Sequence, residues 1–302
     1  MSLQRQTKNL IKILYLCLNL IYINIAIEFP KKLIFNLQIK IISALLLLLN
    51  LTGCSLYFGQ KNYLKEKRNN INLEIIKNFS KAISRDPNNS TFYLERGRAK
   101  NEYGDFKGAI KDFNKSFKIS PELRIIFYRA NSKYKYGDFK GAIKDYEKLN
   151  FFEKYRDQIF YNLASAQLTN FDYQNAINNY TKSIGYDNND EFAYIYRGNG
   201  KFKLEDYQGS SIDYGKSLEI NDRSYIAFNN RGVTNFKLKN YRSALEDFKK
   251  SLKINPRNYS TLYNKSLTHF ELKEIKKACI NLKKSIKLGK EVFKDEYLKI
   301  CL

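Results

Sequence analysis

Apolar and small residues recur with a long period in the part of the chain that follows about residue 70. Apolar side chains lie three positions before and four positions after each small residue, as Phe106 and Phe113 do around Ala109. Such spacings put side chains on one face of an α-helix, so the pattern predicts one amphipathic helix per period. The small residues, 33 or 34 positions apart, are Ala109, Ala142, Ala176, Ser210, Ala244 and Ala278.

A second small residue lies twelve positions before each of these and predicts a partner helix. The turn between the helices is clearest in the run Tyr-Gly-Asp-Phe-Lys-Gly-Ala-Ile-Lys-Asp, which starts at Tyr103 and again at Tyr136. Its first Gly can end one helix and its first Asp can cap the next. Each period therefore predicts two antiparallel helices that touch through small residues. The second set is Gly97, Ala130, Ala164, Gly198, Gly232 and Ser266.

The repeated unit resembles the tetratricopeptide repeat, a period of about 34 residues with small contact residues, a later aromatic and a late proline. Pro121 and Pro256 occupy the proline place in their units, and Pro87 does so in a degenerate unit. The resemblance covers about residues 71–290. It implies an all-α fold, a right-handed superhelical solenoid of antiparallel helix pairs, which here follows a hydrophobic N-terminal segment.

The repeat pattern predicts a solenoid over residues 71–292 and a capping helix over 293–302. A terminal repeat needs a cap because its apolar outer face would otherwise meet water. The unit 123–156 has the least regular ending, at residues 149–152, where a distorted joint is expected. The predicted units are a half-repeat at 71–89 and full repeats at 90–122, 123–156, 157–190, 191–224, 225–258 and 259–292.

The resemblance also implies a binding groove, because the first helix of each unit lines the concave face of such a solenoid. Asparagine side chains can hydrogen-bond a peptide backbone, and tyrosine offers stacking area, so this lining suits a protein or peptide partner. The chain has 24 tyrosines in all, so composition is an alternative explanation. The groove residues implied are Arg98, Asn101, Tyr128, Asn131, Tyr161, Asn162, Ser165, Tyr196, Asn199, Asn229, Asn230, Tyr263 and Asn264.

The hydrophobic region over residues 1–53 ends in a motif that resembles the lipobox of bacterial lipoproteins, Leu51-Thr52-Gly53-Cys54. The apolar run that starts at Ile41 is shorter than the ~20 residues of a membrane span, and lysines precede it as in a secretory signal. The resemblance implies cleavage before Cys54, lipidation of its thiol and a tether over 54–70. A plain transmembrane anchor is the alternative, and a translation start near residue 31 would shorten the signal to the usual length.

These features predict a non-catalytic, membrane-tethered scaffold that binds another protein. The expected location is that of a bacterial lipoprotein facing the periplasm or cell exterior. The alternative is a receptor or assembly factor with a cytoplasmic repeat domain, anchored in the inner membrane by residues 10–51. A polyanion-binding protein is a third reading of the net charge of +23. Nucleic acid is disfavoured because no nucleic-acid-binding motif accompanies the charge.

The candidate chemistry is sparse. His269 is the single histidine and falls at a packing position, so no catalytic triad or zinc site can be assembled around it. Acids such as Asp105 and Asp112 recur once per repeat, which indicates caps and solvated faces. The four cysteines form no CxxC pair, so neither a metal site nor a disulfide framework is expected. The sequence predicts no catalytic residue, metal, cofactor or small-molecule substrate.

Overall fold

A computed structural model describes residues 63–149, 152–289 and 296–301. The predicted lipidation site at Cys54 and the signal or anchor over 1–53 lie outside these residues. The chain divides into two compact units, Met1–Ile71 and Asn72–Leu302. Helix α1 covers residues 63–85, so the tether predicted over 54–70 is helical from residue 63 onward.

Every element of the described part is helical, and consecutive helices pack against one another. A short 3-10 helix, Glu153–Tyr155, precedes α6. None of the described helices has the length and apolar character needed to cross a bilayer. The helices after α1 are α2 Ser90–Tyr103, α3 Phe106–Ile119, α4 Leu123–Tyr136, α5 Phe139–Glu147, α6 Arg156–Thr169, α7 Tyr173–Tyr186, α8 Glu191–Lys203, α9 Tyr207–Ile220, α10 Tyr225–Lys237, α11 Tyr241–Ile254, α12 Tyr259–Glu271, α13 Ile275–Lys287 and α14 Glu296–Cys301.

The turn inside each helix pair follows the predicted chemistry. Gly104 ends α2 in the left-handed region at φ 101°, and its backbone N–H donates to the carbonyls of Lys100 and Asn101. The Asp105 carboxylate accepts the N–H of Gly108 at 2.9 Å and caps α3. Both roles are confirmed. Glycine is favoured at such a position because a side chain is strained at positive φ.

The helices of each pair touch through the small residues found in the sequence. Ala109 and Ala244 are fully buried, and the aromatic residue four positions later is buried with them. A Cβ atom on Gly232 would lie 2.6 Å from Cε1 of Phe248, so a larger residue there would force that ring to move. The all-α solenoid of helix pairs is confirmed, with one small contact residue on each helix as its repeating core.

The second helix of unit 123–156 ends early on the described side of the joint expected at 149–152, and residues 150 and 151 of that joint lie outside the described part of the chain. Helix α5 has nine residues where α3 has fourteen, and the 3-10 helix follows it. Leu149 is 1% exposed, and Phe152 packs against the same core cluster. The Phe127 and Tyr155 rings stack at 5.0 Å. In the regular second helices the position of Leu149 is a buried serine, such as Ser116 or Ser251, so unit 123–156 carries a larger side chain at the place where its second helix ends early.

The C-terminal helix is joined covalently to the last helix pair. Cys279 on α13 and Cys301 on α14 form a disulfide across 22 positions. The sequence-based expectation of no disulfide is therefore wrong. Pairing of two cysteines depends on their distance in the fold, which spacing along this chain does not reveal.

Candidate functional site

The predicted groove residues lie on alternate helices, α2, α4, α6, α8, α10 and α12, and neighbouring members of this series contact one another. We call the surface they form the first-helix face. Arg98 is exposed, and the other twelve predicted residues are half-buried. The structure therefore brings these residues together along one row of helices while leaving each partly accessible.

A three-residue amide cluster links the second and third helix pairs. The hydroxyl of Tyr146 on α5 donates a short hydrogen bond to Oδ1 of Asn131 on α4. Nδ2 of Asn162 on α6 donates to the same oxygen at 3.1 Å. Burial raises the pKa of the Tyr146 phenol, which stays neutral and can donate. One asparagine oxygen thus holds together three helices.

The same cluster recurs two helix pairs later. Tyr214 donates to Oδ1 of Asn199 at 2.7 Å, and Nδ2 of Asn230 donates to it at 3.1 Å. A carbonyl oxygen has two lone pairs, so both acceptor positions of Asn131 and of Asn199 are used. Their Nδ2 groups make no hydrogen bond within the described residues and are not buried. Each cluster therefore offers an amide donor to a ligand.

Tyrosine rings fill the space between the two clusters. Tyr196 stacks on Tyr180 with centroids 6.1 Å apart, and Tyr161 meets both rings edge-on at 5.7 and 6.2 Å. The Tyr180 hydroxyl hydrogen-bonds Ser165 at 2.8 Å. Burial and the nearby Tyr196 raise the pKa of the Tyr161 phenol. This middle stretch is aromatic, and Asp157, Asp187 and Asp190 line a pocket beside Tyr161.

Contacts between neighbouring first helices are also present at each end of the first-helix face. The Arg98 guanidinium lies 5.1 Å above the Tyr128 ring, and Asn101 accepts from Ser132 at 2.9 Å. At the far end, Asn229 accepts hydrogen bonds from Thr261 and Asn264. Tyr263 packs against the terminal core cluster.

Two stretches match the family model described as Tetratricopeptide repeat, residues 157–190 and 225–258. These stretches contain the helix pairs α6 with α7 and α10 with α11. The chain therefore contains two recognised tetratricopeptide repeats, at residues 157–190 and 225–258. We number the helix pairs as units 1 to 6, from the pair α2 and α3 to the pair α12 and α13.

Several solved TPR structures share the fold. The C-terminal part of a TPR repeat-containing protein from Cytophaga hutchinsonii has a TM-score of 0.63 at 17% identity, covering 79% of this chain and 96% of that one. A tetratricopeptide repeat protein from Parabacteroides merdae has a TM-score of 0.60 at 17% identity, covering 67% and 81%. YrrB, described as a TPR protein with an unusual peptide-binding site, has a TM-score of 0.55 at 19% identity, covering 62% and 97%. No curated protein matches the sequence. Identities this low show the fold alone.

Four of the six units contain a buried ion pair that the sequence analysis missed. An arginine on the first helix contacts an aspartate 16 positions later on the second, with N to O distances of 2.6 or 2.7 Å. A lysine four positions after the arginine joins the aspartate in units 1, 2 and 4. The spacing of 16 positions between the arginine and the aspartate recurs along the sequence and could have revealed these pairs. The pairs are Arg96–Asp112, Arg129–Asp145, Arg197–Asp213 and Arg231–Asp247.

These pairs correct the expectation that all of the recurring acids lie at helix caps or on solvated faces. Asp105 is an exposed helix cap as predicted, whereas Asp112 is 4% exposed and does not lie on a solvated face. Arg96 and Lys100 compensate its charge inside the fold. Burial alone would raise the pKa of the Asp145 carboxyl, but hydrogen bonds from Arg129 and Lys133 outweigh it and lower that pKa.

TPR unit 3 fills the same space without charge. Asn179 replaces the aspartate and donates to Gln167 at 2.8 Å, while Leu163 stands in place of the arginine. Both ends of the amide pair are buried. The same buried position is therefore occupied by an ion pair in units 1, 2, 4 and 5 and by a neutral amide pair in unit 3.

His269 occupies the predicted packing position on α12 and is 6% exposed. Its Nδ1 lies 2.7 Å from Oε2 of Glu274. Burial lowers the pKa of His269 despite this hydrogen bond, so the neutral ring donates its Nδ1–H to the carboxylate. No group of residues in the described part of the chain could hold a metal ion. The absence of catalysis stays a prediction.

Proposed function

We propose that the chain is a membrane-tethered TPR scaffold that binds an extended protein segment along the first-helix face. TPR proteins generally serve as non-catalytic scaffolds, which supports this class of function. The repeated cluster of one tyrosine and two asparagines carries the proposal. It fixes Asn131 and Asn199 through their oxygens and leaves both amide N–H₂ groups accessible.

Extended backbone suits this arrangement because peptide carbonyls recur at short intervals and need donors. Asn131 and Asn199 would each donate to a ligand carbonyl. The rings of Tyr161 and Tyr196 between them would contact ligand side chains. The edge-on contact between these two rings and the stacking of Tyr196 on Tyr180 hold them in place before binding, which lowers the entropic cost of association.

We expect the double variant Asn131→Asp/Asn199→Asp to keep its fold and lose peptide binding. Aspartate retains an oxygen that accepts from the tyrosine and the neighbouring asparagine, but it replaces the outward donor by a second acceptor. A charged oxygen facing a ligand carbonyl should weaken binding about tenfold or more. The measurement is enrichment from a random-peptide display library, followed by dissociation constants of the enriched peptides.

The matched control is Asn114→Asp/Asn178→Asp, which makes the same charge change at exposed positions on the second helices α3 and α7. This control should bind the enriched peptides as the native chain does. Circular dichroism should show native helix content in both variants. Equal peptide affinity in the two variants would rule out the first-helix face as the binding surface.

Export and lipidation at Cys54 complete the proposal. The lipobox-like residues before Cys54 support lipidation, and the Cys279–Cys301 disulfide independently supports an oxidising compartment. Disulfides persist outside the cytosol and are rare within it. A cytoplasmic repeat domain on a transmembrane anchor would keep both thiols reduced.

Two measurements in cells test this part. Metabolic labelling with a fatty acid should mark the native chain and fail to mark Cys54→Ala. Rapid acid quenching followed by thiol alkylation should leave Cys279 and Cys301 unmodified until a reductant is added. Label on the Cys54→Ala chain would contradict lipidation there. Immediate alkylation of both cysteines would favour the cytoplasm-facing alternative.

A further inference from the structure

The last unit departs in charge from its predecessors. In unit 2, Arg129 donates both to Asp145 of its own unit and to Asn114 of the unit before it. The corresponding places at the last unit hold Lys265, Asn281 and Lys249. Asn281 thus stands at the place of the aspartate Asp145. Lys249, a second cation, stands at the place of the neutral acceptor Asn114. This unit therefore lacks the carboxylate that four other units provide.

These residues line a cavity of about 380 Å³ between α11, α12 and α13, which we call the terminal groove. Lys265 is half-buried and makes no ion pair or hydrogen bond within the described residues. Burial lowers the pKa of its ammonium group, and Lys249 and Lys284 lower it further. Asn281 is neutral and therefore does not compensate the charge of Lys265; its Nδ2 donates to the Lys277 carbonyl.

The other lining residues narrow the ligand chemistry. Leu245 and Ile280 contribute aliphatic surface, and Ile280 is 68% exposed. Glu246 is an exposed acid in the lining. Its charge opposes a doubly charged phosphate more than a single carboxylate. The groove thus combines apolar contact area with two lysines, Lys249 and Lys265, that have no acid partner in the part of the chain that the structure describes.

We propose that the terminal groove binds an acidic segment of a partner protein. A partner carboxylate contacts Lys249 and Lys265, and an adjacent aliphatic side chain packs on Leu245 and Ile280. The partner supplies in trans the charge that Asp145 supplies within unit 2. None of these groove residues belongs to the first-helix face, so this is a second site on the same scaffold.

The test uses the full chain in detergent and a fluorescein-labelled peptide of alternating glutamate and leucine, read by anisotropy. Lys249→Gln/Lys265→Gln should raise the dissociation constant about tenfold or more, because two charge-assisted contacts are lost. Lys276→Gln/Lys287→Gln removes the same charge from exposed positions of α13 outside the lining and should change it less than about twofold.

A second variant tests the site by restoring the missing acid. Asn281→Asp should weaken binding of the peptide about tenfold and raise the thermal midpoint, because an internal carboxylate then pairs with Lys265. Asn131→Asp/Asn199→Asp should leave this binding unchanged, which separates the terminal groove from the first-helix face.

Three results would overturn the proposal. A matched glutamine and leucine peptide could bind as tightly as the glutamate peptide. The Asn281→Asp chain could bind the peptide as the native chain does. Inorganic phosphate or a DNA oligonucleotide could bind in preference to the peptide, with loss of that binding in Lys249→Gln/Lys265→Gln, which would assign the groove to a phosphate ligand.

Discussion

The Asp145→Asn variant is expected to unfold with a free energy about 3 kcal/mol below that of the native chain. Asp145 is 2% exposed and contacts both Arg129 and Lys133 at 2.7 Å. Removing its charge leaves two largely buried cations without their partner. For a fold of this size the thermal midpoint should fall by about 6–12 °C. Urea and thermal denaturation followed by circular dichroism measure both quantities.

The difference in stability between the native chain and Asp145→Asn should depend on pH, and its direction follows from the pKa of Asp145. The pKa of the Asp145 carboxyl is lowered in the fold. Its contribution to the free energy of unfolding is therefore fully present at a pH above the pKa that this carboxyl has in the unfolded chain. That contribution is lost as the pH falls through the lowered folded-state pKa. The native chain and Asp145→Asn should therefore differ fully at neutral pH and converge in acid.

The chain itself provides the control for this variant. The triple change Arg129→Leu/Lys133→Gln/Asp145→Asn copies the neutral set of TPR unit 3. It should cost less than about 1 kcal/mol, because replacing a whole buried ionic cluster by packed neutral groups is often nearly neutral. A triple variant as unstable as Asp145→Asn would show that the loss comes from packing and not from uncompensated charge.

Removal of the disulfide by Cys279→Ala/Cys301→Ala is expected to loosen the C-terminal helix selectively. A cross-link over 22 positions contributes about 3 kcal/mol through the entropy of the unfolded chain. Amide hydrogens of α13 and α14 should therefore exchange up to about 100-fold faster. Hydrogen exchange read by mass spectrometry measures this change.

The effect should stay local because each repeat contacts only its neighbours. Peptides that cover α2 to α7 should exchange at native rates. The native chain treated with a reductant should behave as Cys279→Ala/Cys301→Ala does. Unchanged exchange of α13 and α14 in both samples would show that the disulfide does not hold this end of the solenoid.

Much of the fold was accessible from the sequence because its determinants are local and repeated. Gly104 and Asp105 make a turn and a cap from neighbouring backbone groups, and the same signal returns at Gly137 and Asp138. The small residues could also be recognised in the sequence, because two helices that approach closely favour small side chains at contact positions such as Ala109 and Gly232. Repetition turned weak local preferences into a clear period.

The candidate site was only partly accessible in this way. The positions of Asn131 and Asn199 were predicted, but their hydrogen bonds to Tyr146 and Tyr214 join different helices. A sequence shows which side chains could face a groove. It does not show which of their atoms are already bonded inside the fold and which remain for a ligand.

The helix pairs, their turns and the row of polar and aromatic residues along the first helices follow from sequence patterns alone. The burial of Asp112 beside Arg96, the pairing of Cys279 with Cys301 and the lack of an acid partner for Lys265 among the described residues became visible only in the fold. The physical reason is the distance along the chain over which each interaction acts. Helix periodicity and capping act over a few residues, whereas charge compensation and disulfide pairing depend on groups brought together by packing.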